Sequence, residues 1–156
     1  MDTKELYEYN YKNNLKNLQK YGWDKKSFQY KFNSLGFRGD EFTNNPGIMF
    51  LGCSFTVGIG LPYENMWTSI IAKNLNLEQI NLGIGGASND TAFRLAEYYI
   101  PKLNPAIVIF LQTFDQRLEI INFKNKFHNL LPQLIPDQFK NFYQTWISNS
   151  ENRSEE

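Results

Sequence analysis

Short apolar runs alternate with amphipathic stretches through the middle of the chain. The runs are bounded by glycine, proline or asparagine, a pattern typical of strands buried on both faces of a parallel sheet. Between the runs, apolar residues recur at the three- and four-residue spacing of a helix. This alternation predicts a βαβαβ arrangement and therefore an α/β protein. The predicted strands are 48–51, 79–82 and 106–111, and the helices between them cover 66–75 and the stretch from 88 to Pro101.

Polar residues and prolines mark the expected helix ends. Glu64 or Asn65 is placed to cap the first of these helices. Ser88 or Asn89 is placed to cap the second, and proline cannot continue a helix. We therefore expect the second helix to end at Pro101, before the third strand.

The chain before the first strand is different in character. Tyr7, Tyr11, Leu15 and Leu18 form one stripe of an amphipathic helix over 3–20, with lysine and asparagine on the opposite side. The mixture of lysine with glutamate there favours a solvated face over a phosphate-binding patch.

The remaining segments carry weaker signals. Residues 21–46 are rich in glycine, asparagine and aromatic residues, so we expect an arm that wraps the core. After Leu111 we expect a helix over Leu118 to Phe127, another over Asp137 to Ile147, and no fourth strand. This divides the chain into an N-terminal helix and wrapping arm (1–46), an α/β domain (47–147) and a polar tail (148–156).

Composition and charge exclude several classes of protein. Sixteen basic residues balance sixteen acidic ones, which gives no electrostatic reason to expect a nucleic-acid partner. One cysteine, Cys53, and one histidine, His128, exclude an internal disulfide and a structural zinc site. The N-terminus has no apolar leader and no stretch is long enough to span a membrane, so a cytoplasmic protein is expected.

Three loops follow the carboxyl ends of the predicted strands, where open parallel sheets bind their ligands. They cover 52–58, 83–90 and 112–117. Together they contain Ser54 at a strand end, backbone amides flanked by glycines, and polar side chains. These are the components of an acyl-transfer site.

The first two loops resemble the first two sequence blocks of the SGNH (GDSL-type) hydrolases. Gly52-Cys53-Ser54-Phe55-Thr56-Val57-Gly58 is similar to Gly-Asp-Ser-x-x-x-Gly, which implies that Ser54 is the nucleophile. Asn81-Leu82-Gly83-Ile84-Gly85-Gly86 is similar to the second block and implies that Gly86 is the oxyanion glycine. Residues 33–39 are similar to a segment that precedes the nucleophile strand in one branch of the family. The resemblance therefore covers roughly Asn33 to Glu119. It implies a three-layer α/β/α sandwich with a flavodoxin-like parallel sheet.

The sequence also departs from the family pattern. Cys53 replaces the usual aspartate, a change also found in phage-like and marine bacterial members. In the third block only Asp115 agrees, and Phe114 stands where the family has its oxyanion asparagine. We expect Asn89 or Thr113 to supply that donor if it is supplied at all.

The general base is the second departure. The family places Asp-x-x-His near its C-terminus, but His128 has Asn125 three residues before it. We therefore expect a truncated or degenerate member that hydrolyses esters poorly. A sheet of three strands would also leave the third strand with an open edge, so we expect self-association.

The same residues allow other interpretations, which the sequence disfavours. Ser54 could be an ordinary turn serine, but two matching blocks favour the nucleophile. A nucleophilic Cys53 is disfavoured, because strand alternation directs it away from the face that displays Ser54 and free cysteines are commonly buried; we expect it to be buried and unreactive. A dinucleotide site at 83–86 is disfavoured, because Ser88 occupies the place of the third glycine.

Asn89 and the pair formed by Asp115 and Arg117 keep two interpretations each. Asn89 is a helix cap or an oxyanion donor, with capping slightly favoured. Asp115 and Arg117 either line the site or form a salt bridge that holds their loop. His128 is expected to be structural, because no carboxylate precedes it at the usual spacing.

These observations favour a serine ester hydrolase. The resemblance implies that it needs no metal or organic cofactor and that its substrates are carboxylic esters of sugars, lipids or short acyl groups. The alternative is a non-catalytic binding or structural module that keeps the fold and a polar crevice but lacks a general base. Nucleotide binding at the glycine loop is a further rival.

Overall fold

A three-stranded parallel sheet lies at the centre of the fold. The computed structural model describes residues 4–25, 28–122 and 124–153. Strand β1 (Gly47–Leu51) pairs in parallel with β2 (Glu78–Asn81) on one side and with β3 (Ile107–Phe110) on the other, in the order β2-β1-β3. All five residues of β1 are buried. The predicted strands and the mixed α/β class are therefore confirmed.

The described residues also contain five α-helices, two short 3₁₀ turns and a separate β-hairpin. The 3₁₀ turns cover Tyr63–Asn65 and Asp137–Phe139. The helices are α1 (Lys4–Lys20), α2 (Ser54–Val57), α3 (Trp67–Leu75), α4 (Asn89–Leu103) and α5 (Lys140–Arg153).

Two helices cover opposite faces of β1 and β2. Met49 and Leu51 point to one face, where they pack with Ala92 and Leu95 of α4. On the other face Ile48 and Phe50 pack with Ala72 of α3. Because successive side chains of a strand point to opposite faces, continuous apolar sequence in β1 serves both contacts.

The ends of α4 agree only in part with expectation. Ser88 is the cap: its hydroxyl accepts from the backbone N–H of Thr91, whose own hydroxyl accepts from the backbone N–H of Ser88. Asn89 is therefore the first helical residue and not the cap. The expected stop at Pro101 is wrong, because the helix continues to Leu103 and ends at Asn104 in the left-handed conformation. A proline in the last turn removes only one N–H donor.

The expected caps of α3 are also wrong. Glu64 and Asn65 belong to the 3₁₀ turn, and the residue at the cap position is Met66, whose side chain makes no capping bond. Met66 is instead fully buried in the core. Packing at this position therefore outweighs the gain from a polar cap.

The helix expected over 118–127 and the expected lack of a fourth strand are both wrong, because this segment is a β-hairpin. Strand β4 (Leu118–Ile121) pairs antiparallel with β5 (Phe127–Leu130) in a separate two-stranded sheet. The turn is fixed by Asn122, whose side-chain oxygen accepts from the backbone N–H groups of Lys124 and Lys126. An asparagine that folds the backbone onto its own side chain favours a turn over a helix.

A buried carboxylate fastens this hairpin to α4. Glu119 accepts two bonds from Arg94, at 2.7 and 2.8 Å, and one from the hydroxyl of Thr91 at 2.9 Å. Burial alone would raise the pKa of Glu119, but these donors outweigh it and the net pKa is lowered. The same Thr91 hydroxyl lies 2.7 Å from Asn129 of β5.

The segments at the two ends of the chain follow the prediction in part. The arm packs Phe37 into the core against Tyr99 of α4, edge to face. α1 covers the expected helix, although Thr3 and the side chain of Tyr7 lie outside the described part. α5 confirms the second C-terminal helix, but it runs to Arg153, so the stretch 148–153 expected to be a polar tail is helical.

Strand β3 is the most apolar of the three and the least covered. Val108 and Phe110 lie on the α4 side of the sheet yet remain 41% and 48% exposed. Ile107 is also exposed, and the outer edge of β3 pairs with no other described strand. Parallel sheets normally have both faces covered, but the apolar side chains of β3 remain exposed. The strand also has an unpaired outer edge, so it presents an uncovered apolar surface. Within the described ranges, no helix has the length and apolarity needed to cross a membrane.

We expect the edge of β3 to cause self-association. A lysine at an exposed edge discourages pairing between strands, so Val108→Lys should lower the average mass seen by sedimentation velocity at high protein concentration. Ile70→Lys, which adds the same charge at an exposed position of α3, should leave association unchanged. A wild-type chain that stays monomeric at every concentration would contradict this expectation.

Candidate functional site

The loop after β1 turns sharply into α2. Gly52 has φ +153°, and a Cβ there would overlap the Thr56 hydroxyl and lie 3.0 Å from the carbonyl oxygen of Leu111. Only glycine fits a backbone this tightly enclosed. The turn places Cys53 at the N-cap and half-buried Ser54 as the first residue of α2.

Arg38 binds the backbone at the end of α2 and just after it. Its buried guanidinium donates to the carbonyl oxygens of Val57, at 3.0 Å, and of Gly58 and Leu61. The ring of Tyr30 lies 4.2 Å from the guanidinium carbon. Burial lowers the pKa of Arg38, yet the group remains charged because its reference pKa lies far above neutrality.

The sequence 33–39 presents Arg38 in this position. The Asn33 side-chain oxygen accepts from the backbone N–H groups of Leu35 and Phe37 at 3.1 and 2.9 Å. This Asx-type turn is closed by a bridge between Phe32 and Arg38. The upstream segment therefore serves to place one buried cation against α2.

The second loop is fastened to the first by Asn81 and by backbone contact. The Asn81 amide donates to the carbonyl of Thr56 at 2.8 Å, and its oxygen accepts from the N–H of Gly83. The N–H of Ile84 donates to the carbonyl of Gly52 at 3.1 Å. A Cβ on Gly83 would lie 2.7 Å from the backbone nitrogen of Val57, so this approach requires glycine.

The third loop is held by Asn89 and Arg117. The Asn89 side-chain oxygen accepts from the N–H of Thr113 at 2.9 Å, and its amide donates weakly to the Thr113 carbonyl at 3.4 Å. Arg117 donates to the Thr113 hydroxyl at 2.9 Å and to the carbonyl of Ala87 at 3.4 Å. The two side chains connect the loops that follow β2 and β3.

Arg117 also acts on Cys53, which is buried and free. Burial alone would raise the pKa of the thiol. The backbone N–H of Phe55, the guanidinium of Arg117 and the Ser54 side chain favour the thiolate, and together they lower the pKa below its ordinary value. The expected burial of Cys53 is confirmed, and its expected lack of reactivity stays a prediction.

An open cavity of about 860 Å³ lies between the first and third loops. Its walls include Cys53, Phe55 and Trp67 on one side and residues Leu111 to Gln116 on the other. This volume is in the range of small-molecule sites. Nothing in the periodicity of the sequence singled out Trp67 as a wall residue, because it also packs edge-on against Phe50 in the core.

The structure brings some of the expected site residues into contact. Asn89 and Thr113 bond to each other, while Ser54 leads α2 beside the loop that carries Gly86. Gly86 has φ +77° and a Cβ there would lie 3.4 Å from Leu131. The backbone N–H of Thr113 is already bonded, so the donors that Thr113 and Asn89 keep are a hydroxyl hydrogen and a second amide hydrogen.

Two other expectations have a definite outcome. No salt bridge joins Asp115 and Arg117 among the described residues, because Arg117 turns toward Ala87 and Thr113. His128 lies in β5, where its Nε2 is 2.9 Å from the Asn122 amide and its ring packs against Phe139. Both contacts of this imidazole lie outside the three loops.

Sequence reasoning missed the roles of Arg38 and Arg117 in holding the loops. Each contacts residues far away in the chain, and the only signal available was an arginine inside a conspicuous segment. No cluster of three or more potential metal ligands occurs within 4–25, 28–122 and 124–153. Comparison of the chain with family models, with curated proteins and with solved structures gives no match.

The pairing of Arg117 with Cys53 predicts a measurable shift of the thiol. Arg117→Ala should raise the pKa of Cys53, measured from the thiolate absorbance as a function of pH, whereas Arg117→Lys should raise it less. Because the folded state favours the thiolate, folding stability should increase as pH rises from the folded to the unfolded thiol pKa, and this increase should shrink in Arg117→Ala. An unchanged pKa in Arg117→Ala would contradict the assignment.

Proposed function

We propose that this chain is an SGNH-type serine ester hydrolase in which Ser54 attacks the carbonyl of a carboxylic ester. The observation that carries the proposal is the position of Ser54. It begins α2 directly after the central buried strand. The end of β2 and the loop after it bond to Thr56 and Gly52 on either side of Ser54, and the loop after β3 bonds to the loop after β2 through Asn89. Ligands of open parallel sheets bind at this edge.

The arrangement of the elements supports the proposed fold family. The strand order β2-β1-β3 is that of the first three strands of flavodoxin-like sheets. Helices α3 and α4 lie on opposite faces of β1, as a three-layer α/β/α sandwich requires.

The proposed chemistry assigns a role to each loop. Ser54 Oγ bonds to the acyl carbon while its proton passes to water, and the carbonyl π pair moves to the oxygen, which becomes an oxyanion. When the carbonyl re-forms, the bond to the alcohol oxygen breaks and the alcohol leaves with a proton; water then hydrolyses the acyl-serine to the acid and free Ser54. The backbone N–H groups of Ser54 and Gly86 are proposed to hold the oxyanion. The N–H of Ser54 is the first of α2 and therefore has no partner within the helix. The remaining hydrogens of Asn89 and Thr113 are the candidates for a third donor. This chemistry requires neither metal nor organic cofactor, and the substrates are esters of sugars, lipids or short acyl groups.

The position of His128 favours a second candidate, a binding module without turnover. This imidazole is engaged by Asn122 and Phe139 and is the sole histidine of the sequence. A serine hydroxyl without a base is a weak nucleophile, although an oxyanion hole alone still gives about 10³–10⁴-fold over water. For the first candidate we therefore propose slow hydrolysis, with kcat/KM below about 10⁴ M⁻¹s⁻¹ on activated esters. The binding module is the second candidate, and it predicts no turnover.

Hydrolysis of short p-nitrophenyl esters tests the proposal. Ser54→Ala should remove the protein-dependent turnover because it removes the attacking oxygen. His128→Ala should largely retain turnover, and so should Ser148→Ala, the same substitution at an exposed site of α5. Turnover that survives in Ser54→Ala would refute the nucleophile. A large loss in a folded His128→Ala variant would make the histidine the missing base.

A further inference from the structure

Arg117 interacts with all three loops at the carboxyl edge of the sheet. Its Nη1 donates to the Thr113 hydroxyl at 2.9 Å, in the loop after β3, and to the carbonyl of Ala87 at 3.4 Å, in the loop after β2. Its charge also favours the thiolate of Cys53, in the loop after β1. Because Cys53 directly precedes Ser54, this guanidinium lies one residue away from the proposed nucleophile along the chain.

The side of the Arg117 guanidinium that carries Nε and Nη2 has no hydrogen-bond partner in the described part of the chain. Both of its hydrogen bonds come from Nη1, and no described carboxylate forms a salt bridge with it. Arg117 is half-buried, and both unused nitrogens keep contact with solvent. The N–H groups on Nε and Nη2 point in parallel, a geometry that matches the two oxygens of a carboxylate.

Arg94 shows this bidentate bond within the same protein. Its Nε and Nη2 donate to the two carboxylate oxygens of Glu119, at 2.7 and 2.8 Å. Arg117 presents the same pair of donors without such a partner, at the edge where open parallel sheets bind their ligands. A guanidinium in that position is suited to an anionic group of a ligand.

The neighbours of Arg117 leave room for such a ligand. Asp115 lies two residues away, but it accepts a weak bond from Gln112 at 3.4 Å and forms no salt bridge among the described residues. A neutral thiol is a weak acceptor, so a carboxylate competes well with Cys53 for the guanidinium. The ring centre of Phe114 lies 5.2 Å from the guanidinium carbon. Cys53 and Phe114 both line the open cavity of about 860 Å³, which gives a ligand a path to this cation.

We propose that Arg117 binds a carboxylate group of the ligand through Nε and Nη2. One guanidinium offers one bidentate pair and one positive charge, so a single carboxylate fits better than a dianionic phosphate. The consequence for the substrate rests on the proposed function: the ester that Ser54 attacks carries a carboxylate elsewhere in the molecule.

Binding to the intact chain is the first arm of the test. Butyrate should shift the NMR signal of the Arg117 Nε–H, assigned with Arg117→Lys, and butyramide, which has the same shape without the charge, should not. Cys53→Ser, which forms no thiolate, should bind butyrate at least as tightly. A signal that responds to inorganic phosphate and not to butyrate would overturn the proposal in favour of a phosphate site. Butyrate binding that appears only in Asp115→Asn would also overturn it, because Asp115 would then occupy the guanidinium.

Variants of Arg117 measure the contribution of the paired donors. Followed by the backbone N–H signal of Phe114, Arg117→Gln should weaken butyrate binding at least tenfold, the loss expected for hydrogen bonds to a charged group. Lys73→Gln, which removes the same charge from an exposed position of α3, should weaken it less than twofold. Arg117→Lys keeps the charge and loses the paired donors, so it should weaken binding by an intermediate factor and serves should Arg117→Gln fail to fold.

Turnover is the second arm. The p-nitrophenyl ester of glutarate and that of its half-amide differ only in a carboxylate or an amide at the end of the acyl group. 4-Acetoxybenzoate and 4-acetoxybenzamide place the same difference in the alcohol. In at least one pair, Arg117→Gln should lower kcat/KM about tenfold more for the carboxylate than for the amide, chiefly through KM, and Lys73→Gln should not.

The two arms separate the possible failures. If no ester is hydrolysed but butyrate still shifts the Arg117 signal, the hydrolase proposal fails and the carboxylate site stands. If hydrolysis that depends on Ser54 occurs and butyrate leaves this signal unchanged, the carboxylate site is wrong. Equal losses for carboxylate and amide esters in Arg117→Gln would show that Arg117 only supports the loops, which would overturn the substrate assignment.

Discussion

The burial of β1 on both faces is the constraint on which the rest of the structure depends. Its side chains pack with α4 on one side and α3 on the other, so the strand itself has no position for a polar group that meets solvent. Polar functional groups can therefore reach solvent only where the chain leaves this strand. It leaves at Gly52, whose surroundings exclude a side chain, and the next turn begins α2 with Ser54. A candidate site at the carboxyl edge therefore follows from the packing of the central strand.

Two arginines fix the loops at this edge, and neither forms a salt bridge with a carboxylate in the described part of the chain. Arg38 donates to carbonyls at the end of α2, where the unpaired carbonyls of a helix carry partial negative charge. Arg117 donates to Thr113 and Ala87 and favours the thiolate of Cys53. The three acceptors of Arg38 all lie within 57–61, whereas those of Arg117 lie in the two loops after β2 and β3. Loss of Arg38 would therefore leave carbonyls unpaired after α2, and loss of Arg117 would remove a link between the other two loops. The position of Ser54 therefore depends on groups that are distant from it in sequence.

The pattern of apolar and polar residues predicted those elements of the fold that depend on interactions between residues close in sequence. Apolar runs identified the three strands, and the motif that carries Ser54 identified the loop after β1. The pattern could not distinguish a helix from the hairpin at 118–130, because the turn at Asn122 and the anchoring of Glu119 to Arg94 decide between them. It also could not show that β3, the most apolar run, is the least covered, since coverage depends on which elements pack nearby. For the same reason the sequence could not show that Arg38 and Arg117 hold the loops of the site.

The central claim is that the turn from β1 into α2 makes Ser54 a nucleophile for acyl carbonyls. A covalent probe tests this claim without relying on a particular ester or on a fast general base. The intact chain would be incubated with an alkyl fluorophosphonate and digested, and the modified peptide would be identified by mass spectrometry. The account predicts one adduct, on Ser54, that forms more slowly than on an efficient serine hydrolase. An unmodified Ser54 after prolonged exposure of the folded chain, or an adduct on another residue alone, would contradict it.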